Sequence, residues 1–352
     1  MELEHAPRTP GVVPPAFELD HVRSLLGAPT PIPWLVPGVL ARDTLVLVSG
    51  PPKSLKSFWT DGLANAIGTG AYFDGLPTNA APVITICGEG RHGIGRRKRA
   101  WEIRHGLSLM DAPVYVSKTA ARLCETVAAY EVEQAVQRIA DEIGEAPGLV
   151  VVDTLQRNMG AGDENSTADV SRLILHLDRH LREPFGCCVM VVHHTGHATN
   201  ERARGSSVLP ASVDAAFMVA RSGDLVTVSA QFAKDWAVPD PMTYQLQIVE
   251  LPWNGEDGNP ETSCVLKRVD AAPVVTKPTG HNARALEVLR ELYAEHRANL
   301  AKSGHASSGA RVLIDDWRDR CAFEHRSQFT RARDWLSTAN LIRLSHPHVE
   351  LS

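Results

Sequence analysis

Apolar positions follow two different spacings along the chain, and their alternation predicts an α/β fold. Short continuous apolar runs are typical of strands buried on both faces of a parallel sheet. Such runs occupy residues 45–48, 82–87, 114–116, 149–152 and 187–192. Between them, apolar residues recur at helical spacing in residues 58–67, 131–143 and 170–177. Strands that alternate with helices in this way predict a mostly parallel central sheet covered by helices.

The loop after the first apolar run has the composition of a phosphate-binding loop. It lies between a predicted strand and a predicted helix, and its backbone N–H groups and the helix N-terminus would form a cradle for an anion. Lys56 is then expected at the β- and γ-phosphates, and the Ser57 hydroxyl at Mg²⁺. Leu55 stands where the usual pattern has its last glycine, so its side chain must point away from the nucleotide or the loop must follow another path. The expected nucleotide-binding residues are Gly50, Pro51, Pro52, Lys53, Ser54, Leu55, Lys56 and Ser57.

Two carboxylates follow later strands of the predicted sheet. Asp153 ends the run at residues 149–152, which is the shape of a Walker B strand that delivers a carboxylate to Mg²⁺. Glu89 follows the run at residues 82–87 and lies between two glycines. In P-loop ATPases of the RecA kind a glutamate at this place orients the attacking water, so Glu89 is the candidate general base. The alternative is a loop glutamate that only accepts hydrogen bonds from the backbone.

Three histidines follow the last predicted parallel strand and raise the possibility of a metal site. Zinc needs several ligands that converge on one point. His193 and His194 are neighbours on an extended chain and point to opposite faces, so at most one of them could join His197 and Asp153. The favoured interpretation instead places His193 or His194 beside the γ-phosphate, where it would sense hydrolysis.

The most basic run of the chain, residues 91–99, is predicted to continue into a helix. Its charges fit three interpretations, which the sequence leaves open. They could line a DNA channel, contact the nucleotide of a neighbouring subunit, or form an ordinary solvated helix face.

In the second half of the chain the pattern of apolar residues changes. Residues 225–230 and 244–249 alternate as an antiparallel strand pair, and residues 252–263 are predicted to be a turn rich in proline, glycine and asparagine. The domains are predicted as a flexible leader over 1–30 with one short helix near residues 20–26, an ATPase domain over 31–270, a linker over 271–280 and a small domain over 281–352.

The small C-terminal domain is predicted to contain three helices, at residues 282–300, 312–321 and 327–339, followed by a β-hairpin. This is the outline of a winged helix. Its third helix would expose residues that suit contact with phosphates, although winged helices also serve as protein-docking modules. These residues are Arg326, Gln328, Arg331 and Arg333.

Composition narrows the class of protein. The 352 residues are 43% hydrophobic and 22% charged, as in an ordinary globular protein, and no apolar run is long enough to span a membrane. The formal net charge of −5 means that any contact with DNA must come from local patches. Six cysteines without CxxC spacing, two of them in the run at residues 187–192, predict a cytoplasmic protein without disulfides.

From about residue 34 to residue 251 the order of motifs resembles that of RecA-like P-loop ATPases of the plasmid RepA type, a family of hexameric helicases with relatives in phages and mobile elements. The tail more weakly resembles the winged-helix ends of some relatives. The motifs that carry the resemblance are 50–57, Gly88-Glu89-Gly90, Val152-Asp153-Thr154, 162–166, His193-His194-Thr195-Gly196 and 204–207.

The resemblance implies an ATP-hydrolysing, Mg²⁺-dependent DNA helicase or translocase of a replication module. It would be a homo-hexamer with ATP at the subunit interfaces and single-stranded DNA in the pore, and duplex DNA is a further candidate partner at the tail. The catalytic residues it implies are Glu89, His193 or His194, and a cation acting on the neighbouring subunit's site, for which Arg204 and Lys234 are both candidates. The alternatives are an ATP-dependent DNA-binding regulator or loader, and a metallohydrolase centred on the histidines.

Overall fold

The computed structural model describes residue 19 and residues 21–27, 31–88, 90–194, 208–270, 280–303, 311–338 and 341–351. The chain divides after Pro33. In the N-terminal part the described element is helix α1, Val22–Gly27, close to the short helix predicted there. The remainder of the predicted leader, and the predicted linker before Gly280, lie outside the described residues.

A nine-stranded sheet forms the centre of the molecule from Trp34 onward. Its strand order is β11-β10-β9-β8-β3-β7-β6-β4-β5; the six strands from β8 to β5 are parallel, and β9, β10 and β11 extend the sheet as antiparallel strands. The α/β class with a mostly parallel central sheet is thereby confirmed. The strands are β3 (Leu45–Gly50), β4 (Val83–Cys87), β5 (Val114–Val116), β6 (Leu149–Asp153), β7 (Cys188–His194), β8 (Ala215–Ser222), β9 (Leu225–Ala233), β10 (Met242–Asn254) and β11 (Pro260–Arg268). Two shorter strands, β1 (Trp34–Val36) and β2 (Leu40–Ala41), pair separately.

Helices cover both faces of this sheet, which is why the parallel strands are mostly apolar. Val46 and Val48 of β3 pack in one core with the first helix after the loop, whereas Leu45 and Leu47 pack in the core on the opposite face. This is the two-residue alternation of a strand. The helices are α2 (Lys56–Thr69), α3 (Arg91–His105), α4 (Thr126–Ile143), α5 (Leu155–Asn158), α6 (Thr167–Leu177), α7 (Glu183–Phe185) and α8 (Val208–Ser212), with a π-helical turn, Asp178–Arg182, between α6 and α7.

The turn predicted over residues 252–263 is mostly wrong. Strand β10 continues to Asn254 and β11 begins at Pro260, and the reversal is confined to residues 255–259. The N–H group of Gly255 donates a hydrogen bond to the carbonyl oxygen of Asn259 across this reversal. Turn-forming residues in this segment lie on the exposed end of a two-stranded ribbon, where backbone pairing with the partner strand decides the structure more than composition does.

Residues 280–351 form a third core of their own. Its central side chains are Leu289, Trp317, Phe329, Trp335 and Val349. The predicted three helices and hairpin are present, but Val312–Leu313 forms a strand that pairs with the hairpin instead of the first turn of the second helix. The elements are α9 (Gly280–Lys302), β12 (Val312–Leu313), α10 (Ile314–Cys321), α11 (Arg326–Thr338), β13 (Ile342–Ser345) and β14 (His348–Leu351).

Candidate functional site: a phosphate-binding loop and the carboxyl edge of the sheet

The predicted phosphate-binding loop connects β3 to α2 at the carboxyl edge of the sheet. Gly50 begins it because the backbone of β8 passes close by: a Cβ atom at this position would lie 2.3 Å from the carbonyl oxygen of Val219. Leu55 adopts the left-handed conformation, with φ 70° and ψ 27°, that the usual glycine would adopt. Its side chain packs against the core on the α2 side of the sheet. The loop therefore keeps the glycine-type backbone and turns the leucine inward.

Lys56 is the first residue of α2, and its ammonium group is held over the loop. Only 4% of the residue is exposed. Its Nζ donates hydrogen bonds to the carbonyl oxygens of Gly50 (2.9 Å) and Pro51 (3.0 Å). The side chain thus lies among the backbone groups that would surround a phosphate, as the sequence predicts.

Ser57 and Asp153 line one pocket at this edge. Asp153 ends β6, two strands away from β3, because β7 lies between them. Hydroxyl and carboxylate oxygens are the ligands Mg²⁺ takes when it also binds nucleotide phosphates. The two residues therefore fit the metal that the loop's chemistry implies. The other side chains that line this pocket are Thr60, Asp61, Thr85, Cys87, Ile94, Val151 and Arg97.

The two neighbouring histidines of β7 point to different places. His194 is paired in register with Gly50, and its Nδ1 lies 3.1 Å from Nζ of Lys56. Since an ammonium group only donates, Nδ1 of a neutral His194 accepts this hydrogen bond. His193 is buried, and its Nδ1 lies 4.0 Å from a carboxylate oxygen of Glu164. His194 is therefore the member of the pair that reaches the phosphate-binding loop.

Glu89 itself lies outside the described residues, but the residues around it are defined. Cys87, at the end of β4, is in register with Asp153, and the N–H group of Gly88 donates to the carbonyl oxygen of Asp153 at 2.7 Å. Gly88 permits close packing, since a Cβ atom there would lie 2.4 Å from Cβ of Arg157. Gly88 thus lies beside Asp153, and the role of Glu89 stays a prediction.

Of the two candidates for a cation that acts on the site of a neighbouring subunit, the structure describes only Lys234. Arg204 lies outside the described residues, as do His197 and the rest of 195–207. Lys234 follows β9 and forms an ion pair with Asp214 at 3.2 Å. Asp214 in turn accepts a hydrogen bond from the N–H group of Leu45, at the amino end of β3. Lys234 is therefore remote from its own chain's loop, and its action on another subunit stays a prediction.

Polar contacts to neighbouring elements fix the position of helix α2. The indole N–H of Trp59 donates to the hydroxyl of Tyr244 at 3.0 Å, and this hydroxyl donates to Asp74 at 2.5 Å. Burial raises the pKa of the Asp74 carboxyl above its usual value, against the opposing effects of the Tyr244 hydrogen bond and of nearby Arg268. On the neighbouring helix α3, Lys98 binds Asp61 of α2 at 2.9 Å. These contacts position α2, whose first two residues are Lys56 and Ser57.

Among the residues that the structure describes, no group of three or more His, Cys, Asp and Glu could hold a metal ion. The described helices also include none that is long and apolar enough to cross a bilayer. No disulfide joins the six cysteines, all of which lie among the described residues. Burial raises the pKa of the Cys188 thiol to about 12, which keeps it protonated and unreactive.

Sequence reasoning missed Arg97 as a lining residue of the Ser57–Asp153 pocket, because the basic run was considered as a whole. A signal was available in the helical spacing. Four consecutive residues, 96–99, are separated by about 100° each around a helix, so they cannot all share one solvated face. At least one of these cations had to point toward the body of the protein.

Comparison with known proteins finds a matching family model and solved structures of similar fold. The family model described as AAA domain matches residues 13–200, just over half of the 352 residues. None of the curated proteins matches the chain. The crystal structure of the RadB recombinase is similar at 15% sequence identity, with a TM-score of 0.43, over 64% of this chain and 92% of that one.

Proposed function

This chain belongs to the AAA domain family, and we propose that it is an Mg²⁺-dependent ATPase. From the resemblance to RepA-type helicases we further propose that it uses hydrolysis to translocate along DNA or unwind it as a homo-hexamer. One observation carries the ATPase part of this proposal. Lys56 is held over the loop while Ser57 and Asp153 line one pocket beside it. A cation, a hydroxyl and a carboxylate at the carboxyl edge of a parallel sheet are the groups that a nucleoside triphosphate with its metal requires.

Each residue has a role that follows from its chemistry. The loop N–H groups and Lys56 bind the phosphates, and Ser57 and Asp153 hold Mg²⁺, which neutralises phosphate charge when bound. Glu89 is proposed as the base that orients and deprotonates water. His194, within 3.1 Å of Lys56, is proposed to report the presence of the terminal phosphate to the segment that follows β7. Arg204 or Lys234 would complete the site of a neighbouring subunit.

A DNA-stimulated ATPase assay tests whether the protein hydrolyses ATP and whether DNA stimulates the hydrolysis. The wild-type protein is expected to hydrolyse ATP with Mg²⁺, and single-stranded DNA is expected to raise the rate. Lys56→Ala should abolish both activities. Unwinding is tested separately by strand displacement on a duplex with a single-stranded tail, and ring formation by particle symmetry with ATP and Mg²⁺. An ATPase rate unchanged in Lys56→Ala would refute the assignment of the loop.

A second function, ATP-dependent regulation or loading on DNA without unwinding, is supported by the C-terminal helices. On α11, Arg326 and Arg331 are exposed, and neither forms an ion pair with a described carboxylate. By contrast, Arg333 is bound to Asp334 at 2.7 Å. Exposed arginines on one helix suit phosphate contact. Duplex binding with ATPase activity but no strand displacement would favour this second function.

A further inference from the structure

Of four consecutive cations on α3, three form ion pairs with described carboxylates and one does not. Arg96 is bound to Glu261 at 2.8 Å, Lys98 to Asp61 at 2.9 Å, and Arg99 to Glu102 at 2.9 Å. Arg97 has no carboxylate partner among the described residues. Three of the four charges are therefore explained by contacts within the fold, and the charge of Arg97 is not.

The side chain of Arg97 is directed into the protein. Its guanidinium carbon lies 5.3 Å from the ring centroid of Phe58, in the first turn of α2. Its Nε is buried and has no hydrogen-bond partner in the described part of the chain. The contact with Phe58 engages the face of the guanidinium group, but the N–H donors lie in its plane and are not satisfied by it.

Arg97 also lines the pocket that contains Ser57 and Asp153. A buried donor without an acceptor costs free energy, and natural proteins rarely leave one unless a ligand, water or ion completes it. The planar array of five guanidinium donors matches the oxygens of a phosphate group. The same pocket is lined by the carboxylates of Asp61, which is paired with Lys98, and of Asp153, which is assigned to Mg²⁺. Its lining also includes Ser57, the residue after Lys56, so the anion we expect beside Arg97 is the phosphate end of a nucleotide bound on the loop with its metal.

We propose that Arg97 acts within its own chain as a ligand of the terminal phosphate of ATP. The inference deepens the proposed function and rests on it. Because ADP lacks the terminal phosphate, Arg97 would make the site prefer the triphosphate over the diphosphate. Lys56 would contribute to binding of both nucleotides, since it spans the β- and γ-phosphates.

The test compares two nucleotides on two matched variants. Arg97→Met keeps much of the apolar length of the side chain and removes the guanidinium group that lies over Phe58. Arg99→Met removes an equal charge from the same helix away from the pocket. Affinities for ADP and for a non-hydrolysable ATP analogue are measured with Mg²⁺ by calorimetric titration. A lost hydrogen bond to a charged group predicts an affinity for the ATP analogue about 10- to 100-fold lower in Arg97→Met, with ADP affinity within about twofold of wild type.

Each outcome decides between the two proposals. Arg99→Met should bind both nucleotides as the wild type does, and thermal unfolding without nucleotide shows whether Arg97→Met is folded. Equal losses for ADP and the ATP analogue, or no loss, would overturn the role of Arg97 and leave the ATPase proposal standing. A wild-type protein that binds neither nucleotide, or a Lys56→Ala variant that binds both normally, would overturn the two together. If Arg97→Met does not fold, Arg97→Lys provides the same comparison with the charge retained, and a similar but smaller preference loss is expected.

Discussion

A lysine lies near each end of strand β3, and the two lysines have different hydrogen-bond and ion-pair partners. At the carboxyl end Lys56 is buried, and backbone carbonyl oxygens and His194 accept its hydrogen bonds. At the amino end, roughly 16 Å away along the strand, Lys234 is half exposed and paired with Asp214. One cation is surrounded by dipoles of a loop built to receive an anion, and the other is neutralised by a carboxylate of its own fold.

This difference shows what distinguishes a binding cation from a structural one. Parallel strands direct the loops at their carboxyl ends toward ligands, whereas their amino ends are closed by packing and capping contacts. Asp214 illustrates the second case, because one carboxylate oxygen receives the N–H group of Leu45 and the other receives Lys234. Arg97 belongs with Lys56 by this criterion, since it faces the pocket at the carboxyl edge and lacks an ion-pair partner among the described residues.

The largest expected effect is that of Lys56→Ala. Removing the cation that faces the phosphates should lower the ATPase turnover by a factor of about 100 or more, the size seen when a charge-stabilising donor is removed from an active site. Lys234→Ala is the comparison variant at the other end of β3. If the two ends differ as argued, and Lys234 does not act on a neighbouring subunit, Lys234→Ala retains nearly full turnover.

Loss of activity in Lys234→Ala would change the comparison rather than end it. Such a loss, with normal ATP binding by each chain, would identify Lys234 as the cation acting on a neighbouring subunit. Mixing Lys234→Ala with Lys56→Ala then distinguishes the cases, because each variant would supply what the other lacks and part of the turnover would return.

Asp153→Asn is the next effect in size. The variant keeps the shape of the side chain but removes the charge that fits Mg²⁺ beside Ser57. The Mg²⁺ concentration needed for half-maximal ATPase activity should rise by roughly tenfold or more, because the metal loses its carboxylate ligand. A titration of activity against Mg²⁺ at saturating ATP measures this shift. An unchanged midpoint would mean that the carboxylate at the end of β6 does not hold the metal.

At the amino end of β3, substitutions should affect stability. Asp214→Ala leaves the buried N–H group of Leu45 without its acceptor, which is expected to lower the free energy of unfolding by about 1–3 kcal/mol. Lys234→Gln removes only one side of a half-exposed ion pair and should cost less than about 1 kcal/mol. Urea denaturation of both variants measures the ratio. Equal costs would show that the ion pair, and not the hydrogen bond to Leu45, is the important contact.

Sequence reasoning located the carboxyl edge of the sheet better than it located the contacts made there. The loop, Asp153 and the position of the histidine pair followed from apolar runs that end in polar residues. The choice of His194 over His193 required the register of β7 against β3, which depends on pairing between distant segments. The end of β10 was missed because its exposed ribbon has turn-like composition, and Arg97 was missed because the basic run does not show which of its cations pair with carboxylates and which one lines the pocket.

The smallest expected effect concerns Leu55, whose left-handed backbone is found at the carboxyl end of β3. Leu55→Ala loses the packing of the side chain and keeps the unfavourable φ, whereas Leu55→Gly loses the packing and relieves the φ. The glycine variant should therefore be the more stable of the two by about 1 kcal/mol.

Gly62, inside α2, is the control, because its backbone is helical and a Cβ atom added there would have no neighbour within 4 Å. There Gly62→Ala should instead stabilise the protein by roughly 0.5–1 kcal/mol. Thermal or urea unfolding of the three variants measures these differences. If Leu55→Ala were instead more stable than Leu55→Gly, the loop would not need a glycine-type backbone at position 55. The inward packing of Leu55 would then be the only reason for its conformation.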